Sequence, residues 1–141
     1  MDVLKTYKMK LVITVLAFVI LNGTVVYGQA DLTGTWKLKK VIETSGKKYS
    51  GAKSYTLVLR ADQRYEMYFG GTSWISGKWE LNVTKLKFEA QSIADPCMEW
   101  KFDNEFKSFE MTSDGTLIID MFVCNIPEGR SYFKKVNRKE K

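Results

Sequence analysis

The feature that most constrains this chain is alternation with period two, in short runs separated by turn residues. From Thr35 to Ile42, the residues Trp36, Leu38, Lys40 and Ile42 fall on one face and Lys37 and Lys39 on the other. Tyr55, Leu57 and Leu59 share a face in the next run, and Tyr65, Met67 and Phe69 follow an Asp62-Gln63 turn. Successive strand side chains point to opposite faces, so runs like these read as strands with one apolar side. Gly70-Gly71 is a two-residue hairpin signal. Trp74 lies beyond it, and past an expected kink at Gly77 come Trp79 and Leu81. An Asn82-Val83 turn leads to Leu86 and Phe88, and later runs carry Met98, Trp100 and Phe102, then Phe109 and Met111. Thr116 to Val123 is almost wholly apolar, which suits a strand covered on both faces, and Arg130 to Val136 is the last run. About eight or nine strands at spacings of about 8 to 12 residues, with no sustained period near 3.6, predict an all-β barrel or sandwich. Connections this short join neighbours, so the expected topology is an antiparallel up-and-down meander that closes on itself and removes its edges.

The start of the chain has a different character. Lys5, Lys8 and Lys10 precede an uninterrupted apolar run from Leu11 to Leu21, broken by Asn22-Gly23-Thr24. A basic region, a short apolar core and small residues near a cut site make a secretory signal peptide. As a helix the run rises only about 16 Å, against a hydrocarbon core of about 30 Å, so no stable membrane span is expected after cleavage. Cleavage after Gly28 and cleavage after Ala30 both satisfy the small-residue rule. The expected organisation is a signal peptide over 1–30, a barrel domain over 31–136 and a basic tail over 137–141. The expected location is secreted or periplasmic.

Removing residues 1–30 lowers the net charge from +6 to +4, and five basic residues crowd into Lys134 to Lys141. A solvated terminus or a contact with an acidic surface both fit that cluster, whereas nucleic acid does not suit an exported chain whose charges otherwise alternate in sign. Two cysteines, Cys97 and Cys124, remain. An even count in an oxidising compartment favours a disulfide, which would add about 3 kcal/mol in the chain-entropy model; two buried free thiols are the alternative.

There is no histidine. That removes Ser-His-Asp and Cys-His catalysis, His-ligated zinc and an imidazole base together. Glu66, Glu80, Glu89, Glu99 and Glu110 fall on the face opposite the apolar one, which makes them solvated charges and not paired glycosidase carboxylates. With no P-loop, dinucleotide fingerprint, calcium loop or CxxC in the sequence, no catalytic residue, metal ligand or cofactor is assigned.

Leu32-Thr33-Gly34-Thr35-Trp36 resembles the Gly-x-Trp of the first lipocalin strand, and more closely that of short bacterial lipocalin-like domains. Tyr55 to Glu66 resembles the strand, Asp-centred turn and strand that follow, and Gly77-Lys78-Trp79 opens a second Gly-x-Trp hairpin that pairs back through Lys85 to Phe88. Arg130-Ser131-Tyr132-Phe133 looks like the closing strand. The META domain of exported bacterial proteins is a second resemblance, through Gly-x-Trp and the Asp95-Pro96-Cys97-Met98 segment. The first resemblance implies a guanidinium, Arg130, stacked over Trp36 to plug the closed end of the barrel.

It also implies a non-enzymatic monomer that binds a small hydrophobic or amphipathic ligand. The interior candidates are Trp36, Leu38, Lys40, Tyr55, Leu57, Tyr65, Met67, Trp79, Phe88, Trp100 and Phe102, with Lys40 as a partner for a ligand carboxylate. The competing function is a filled barrel that presents its outside to a protein partner of the cell envelope.

Overall fold

The computed structural model describes residues 28–49, 54–94, 105–120 and 128–137. A four-residue helix, α1 (Gln29–Leu32), precedes nine strands: β1 (Gly34–Glu43), β2 (Lys48–Tyr49), β3 (Tyr55–Leu59), β4 (Arg64–Phe69), β5 (Thr72–Asn82), β6 (Lys85–Ile93), β7 (Lys107–Met111), β8 (Thr116–Asp120) and β9 (Gly129–Lys135). Strands β3 to β9 run as a meander, β1 pairs with β3, and β9 returns to pair with β1. The result is a closed, eight-stranded antiparallel barrel. The short β2 adds to the β1 edge through Val41 and Ile42, beyond the stretch that β3 covers.

The alternation fills the inside as expected. Trp36, Leu57, Tyr65, Trp79, Phe88, Leu117 and Phe133 are all buried, and Tyr65 meets Phe88 edge-on with centroids 5.0 Å apart. Ile118 points away from this core on β8, between buried Leu117 and Ile119, and is still only 5% exposed. The apolar β8 run is thus covered on both faces where it is described.

Turns form where the sequence places them. Gly70 and Gly71 take φ of 57° and 86° between β4 and β5, the left-handed pair whose twist suits a two-residue hairpin. Gln63, after Asp62, has φ 62°, and Val83, between β5 and β6, has φ 48°. At Gly77 the β5–β6 register slips by one residue, between Ser76↔Ser92 and Gly77↔Ala90. A Cβ there would sit 1.9 Å from the Glu89 carbonyl oxygen, so only glycine permits this approach.

A second bulge corrects one expectation. Between β1 and β9, Leu38 faces Phe133 and Lys40 faces Tyr132, leaving Lys39 as an extra residue. Two residues opposite one invert the alternation beyond that point. Val41, not Lys40, therefore enters the core at 0% exposure, opposite buried Ser131. Lys40 lies outside, with Nζ 4.5 Å from the centroid of the Tyr132 ring.

The wall is laced unevenly. Among the described residues, β5 and β6 pair along nearly their whole length, whereas β6 and β7 pair at Lys85↔Ser108 and Leu86↔Lys107.

Candidate functional site

The two ends of the barrel differ. At one end Gly34 pairs with Leu59, and Leu59 with Tyr65. There α1 crosses the opening, with Leu32 fully buried, and its carbonyl accepts the Trp36 indole N–H at 2.8 Å. The Gln29 amide donates to the Ala61 carbonyl at 2.7 Å, which fastens α1 to the β3–β4 turn. Trp79 Nε1 donates to Arg60 in the same turn at 3.0 Å. This end is plugged.

The cation over Trp36 is not the expected one. Lys135, directly opposite Trp36 in the β1–β9 ladder, places Nζ 5.2 Å from the indole centroid and donates to the Asp31 carbonyl at 3.2 Å. Arg130 pairs with Ile42, six residues further along β1 and so about 20 Å away. Its guanidinium lies on the outer face, 3.3 Å from both Glu110 and Asp120. The resemblance carries over a cation above the tryptophan, but from a different position in the closing strand.

At the other end, Tyr55 faces Phe69 at the far limit of the β3–β4 ladder, with ring centroids 4.8 Å apart. Phe69 meets Trp74 edge-on at 5.0 Å. Phe69 and Trp74 are only partly buried and pack on a deeper floor that includes Met67 and Ile75. No described element crosses this aromatic ledge as α1 crosses the opposite opening. Ser131 is the buried polar side chain among the described residues.

Of the residues expected to line the interior, Trp36, Leu38, Tyr55, Leu57, Tyr65, Met67, Trp79 and Phe88 do so. Lys40 does not. Trp100 and Phe102, and both Cys97 and Cys124, lie outside the described residues, as do residues 1–27 and 138–141. Trp74 packs against the interior as the extra residue of the β4–β5 slip at Met67/Tyr68, and Val41 enters it because it follows the Leu38/Lys40 slip on β1–β9. The only trace of such slips in sequence is an apolar residue out of phase with its run.

Several carboxylates among the described residues, Glu66, Glu80, Glu110 and Asp114 among them, are on the outside and paired with lysine or arginine. Arg60 bonds Glu66 and holds that carboxyl below its usual range, while burial, followed by Glu66, raises the Tyr68 hydroxyl. In the β7–β8 turn, Asp114 accepts from Lys134 Nζ at 2.6 Å and from the Thr112 and Thr116 hydroxyls, and these bonds push its carboxyl far below the ordinary value. Among the described residues there is no cluster of three metal-ligating side chains, and no helix is long and apolar enough to cross a membrane. An outer groove of about 340 Å³ runs between Lys39, Lys40, Ile118, Tyr132 and Lys134.

An eight-stranded up-and-down barrel with one end plugged beneath a Gly-x-Trp strand and the other lined by aromatics is a lipocalin-like fold. The structure is similar to the crystal structure of a lipocalin-like protein from Bacteroides uniformis ATCC 8492, with a TM-score of 0.59 and 16% sequence identity over 75% of this chain and 99% of that one. No protein-family model and no curated protein matches the chain.

Proposed function

We propose that this protein is an exported, non-enzymatic carrier that binds a small hydrophobic or amphipathic molecule at the aromatic end of its barrel. The observation that carries the reading is the asymmetry of the two ends. One is closed by Leu32 and Trp36, and at the other, among the described residues, Phe69 and Trp74 stand partly buried beside buried Tyr55 above an apolar floor. Aromatic rings supply much apolar contact area per residue. Covering about 250 Å² of apolar surface contributes about 6 kcal/mol before association costs.

The test is a titration with a fluorescent fatty acid, followed by energy transfer from tryptophan. Saturable, stoichiometric binding that competes with lipid extracts supports the reading. Trp74 stands on the ledge itself and Trp79 at the plugged end, so Trp74→Phe should lower the transfer by more than Trp79→Phe while leaving the fold intact. A flat titration, or one unchanged in Trp74→Phe, overturns it.

The same proposal includes removal of the basic, apolar leader, residence outside the cytoplasm, and a bond between Cys97 and Cys124. Thiol alkylation with and without reduction tests the bond: two alkylated cysteines without reductant overturn it. The competing reading, a filled barrel that docks on an envelope protein, is favoured by the outer groove, where a buried isoleucine and a tyrosine lie beside three lysines. It predicts no lipophilic titration and a complex with an acidic protein that salt dissolves.

A further inference from the structure

Two bonds, after Gly28 and after Ala30, satisfy the small-residue rule for leader removal, and the leader region alone does not choose between them. The two products differ in which folded-state contacts they keep. The Gln29 carbonyl accepts from the Thr33 amide at 3.1 Å and from the Thr33 hydroxyl at 3.0 Å. Its side-chain amide reaches 32 residues along the chain to the Ala61 carbonyl at 2.7 Å. Ala61 lies in a turn fixed by Gln63 N–H to Arg60 O at 3.1 Å and by the Trp79 indole on the same carbonyl.

Cleavage after Ala30 deletes all three Gln29 bonds and leaves Asp31-Leu32 as a stub. Leu32 is the plug itself and the acceptor for Trp36. Cleavage after Gly28 keeps those bonds. It costs only the Gly28 contacts with Asp31, its N–H to Oδ2 at 2.8 Å and its carbonyl to the Asp31 N–H at 3.1 Å.

We propose that processing after Gly28 makes Gln29 the first residue of the folded protein, with its side-chain amide latched on Ala61. The inference rests on the export reading above. It has a chemical consequence, because a terminal glutamine cyclises readily. The freed amine attacks its own Cδ, a C–N bond forms, the Cδ–Nε2 bond breaks and ammonia leaves. That reaction consumes the nitrogen that donates to Ala61. The latch holds the amide on another part of the chain, so the folded terminus stays linear.

The experiment expresses the full chain with its own leader in a secreting host and weighs the exported protein intact. The expected mass is that of residues 29–141 with a linear terminus. An uncleaved chain overturns the export reading itself. A chain beginning at Asp31 overturns the latch and leaves export standing. A chain beginning at Gln29 but lighter by one ammonia overturns the protection.

Two further measurements separate the latch from general stability. In denaturant the terminal glutamine should cyclise at the rate of an unstructured peptide, and in the folded protein about tenfold or more slowly. Equal rates overturn the proposal. Gly28→Ile blocks the first bond at a position where an added Cβ meets only Asp31 Oδ2, at 3.6 Å. The cut should then move to Ala30 and give a mature protein with a lower melting temperature. An unchanged cut or an unchanged melting temperature counts against the latch.

Discussion

A valine in the left-handed region is uncommon, because its branched Cβ crowds the backbone there. Val83 sits at φ 48° with 55% of its surface exposed, so its side chain gives little packing in return. Val83→Gly should therefore stabilise the protein by about 1 kcal/mol, read as a higher urea midpoint at unchanged slope. The cation above Trp36 gives a second residue-scale contrast. Lys135→Ala removes a cation–π contact and a bond to Asp31, and should cost about 1 kcal/mol. Arg130→Ala removes only exposed ion pairs and should cost less than about 0.5 kcal/mol. The reverse order in thermal unfolding would restore Arg130 as the closing cation.

At the scale of strands, the β1 bulge decides which side chains enter the barrel. Deleting Lys39 removes the extra residue and leaves Lys40 outward opposite Tyr132 and Val41 inward opposite Ser131, so the barrel should still fold. Val41→Lys instead buries an unpaired ammonium at a cost of several kcal/mol and should leave little folded protein by circular dichroism, whereas the deletion should not. The β7–β8 turn depends on one carboxylate. The Asp114 value is depressed by Lys134 first and then by two threonine hydroxyls. A depressed folded-state value means a contribution present above the unfolded carboxylate range and lost as pH falls through it, below about pH 4. Urea midpoints should fall on acidification across that window, and Asp114→Asn should flatten the decline. A wild-type midpoint indifferent to pH there would contradict the assignment.

Over the whole molecule, period-two alternation and glycine-bearing turns were enough to read the meander and its closure. The reading lapsed where one extra residue enters a strand. Lys39 and Trp74, the extra residues of the β1–β9 and β4–β5 slips, shift phase without any turn signal, because a bulge is set by pairing with another strand. The plug was missed for another reason: Gln29 to Leu32 lies where a leader reading ends, and four residues show no helical period. The aromatic ledge was legible residue by residue through Tyr55 and Phe69, but not as the end opposite the plug, which needed the register. At this scale the ligand reading predicts a melting temperature that rises with fatty acid concentration, by mass action on the folded state. Trp74→Ala should bind about tenfold more weakly, equivalent to about 1.4 kcal/mol.

The ladder between β1 and β9 joins the two ends of the domain, residues 36–43 with 129–135. Synthesis runs from the other direction of that logic. While the ribosome still holds the last strand, the first has only half its neighbours, and every later hairpin adds to a sheet that stays open. Closing so long a loop is among the slower steps available to a small protein. The nascent chain therefore remains an incomplete sheet until its final residues are free. A pathway that must thread the polypeptide unfolded through a membrane has that whole interval in which to capture it.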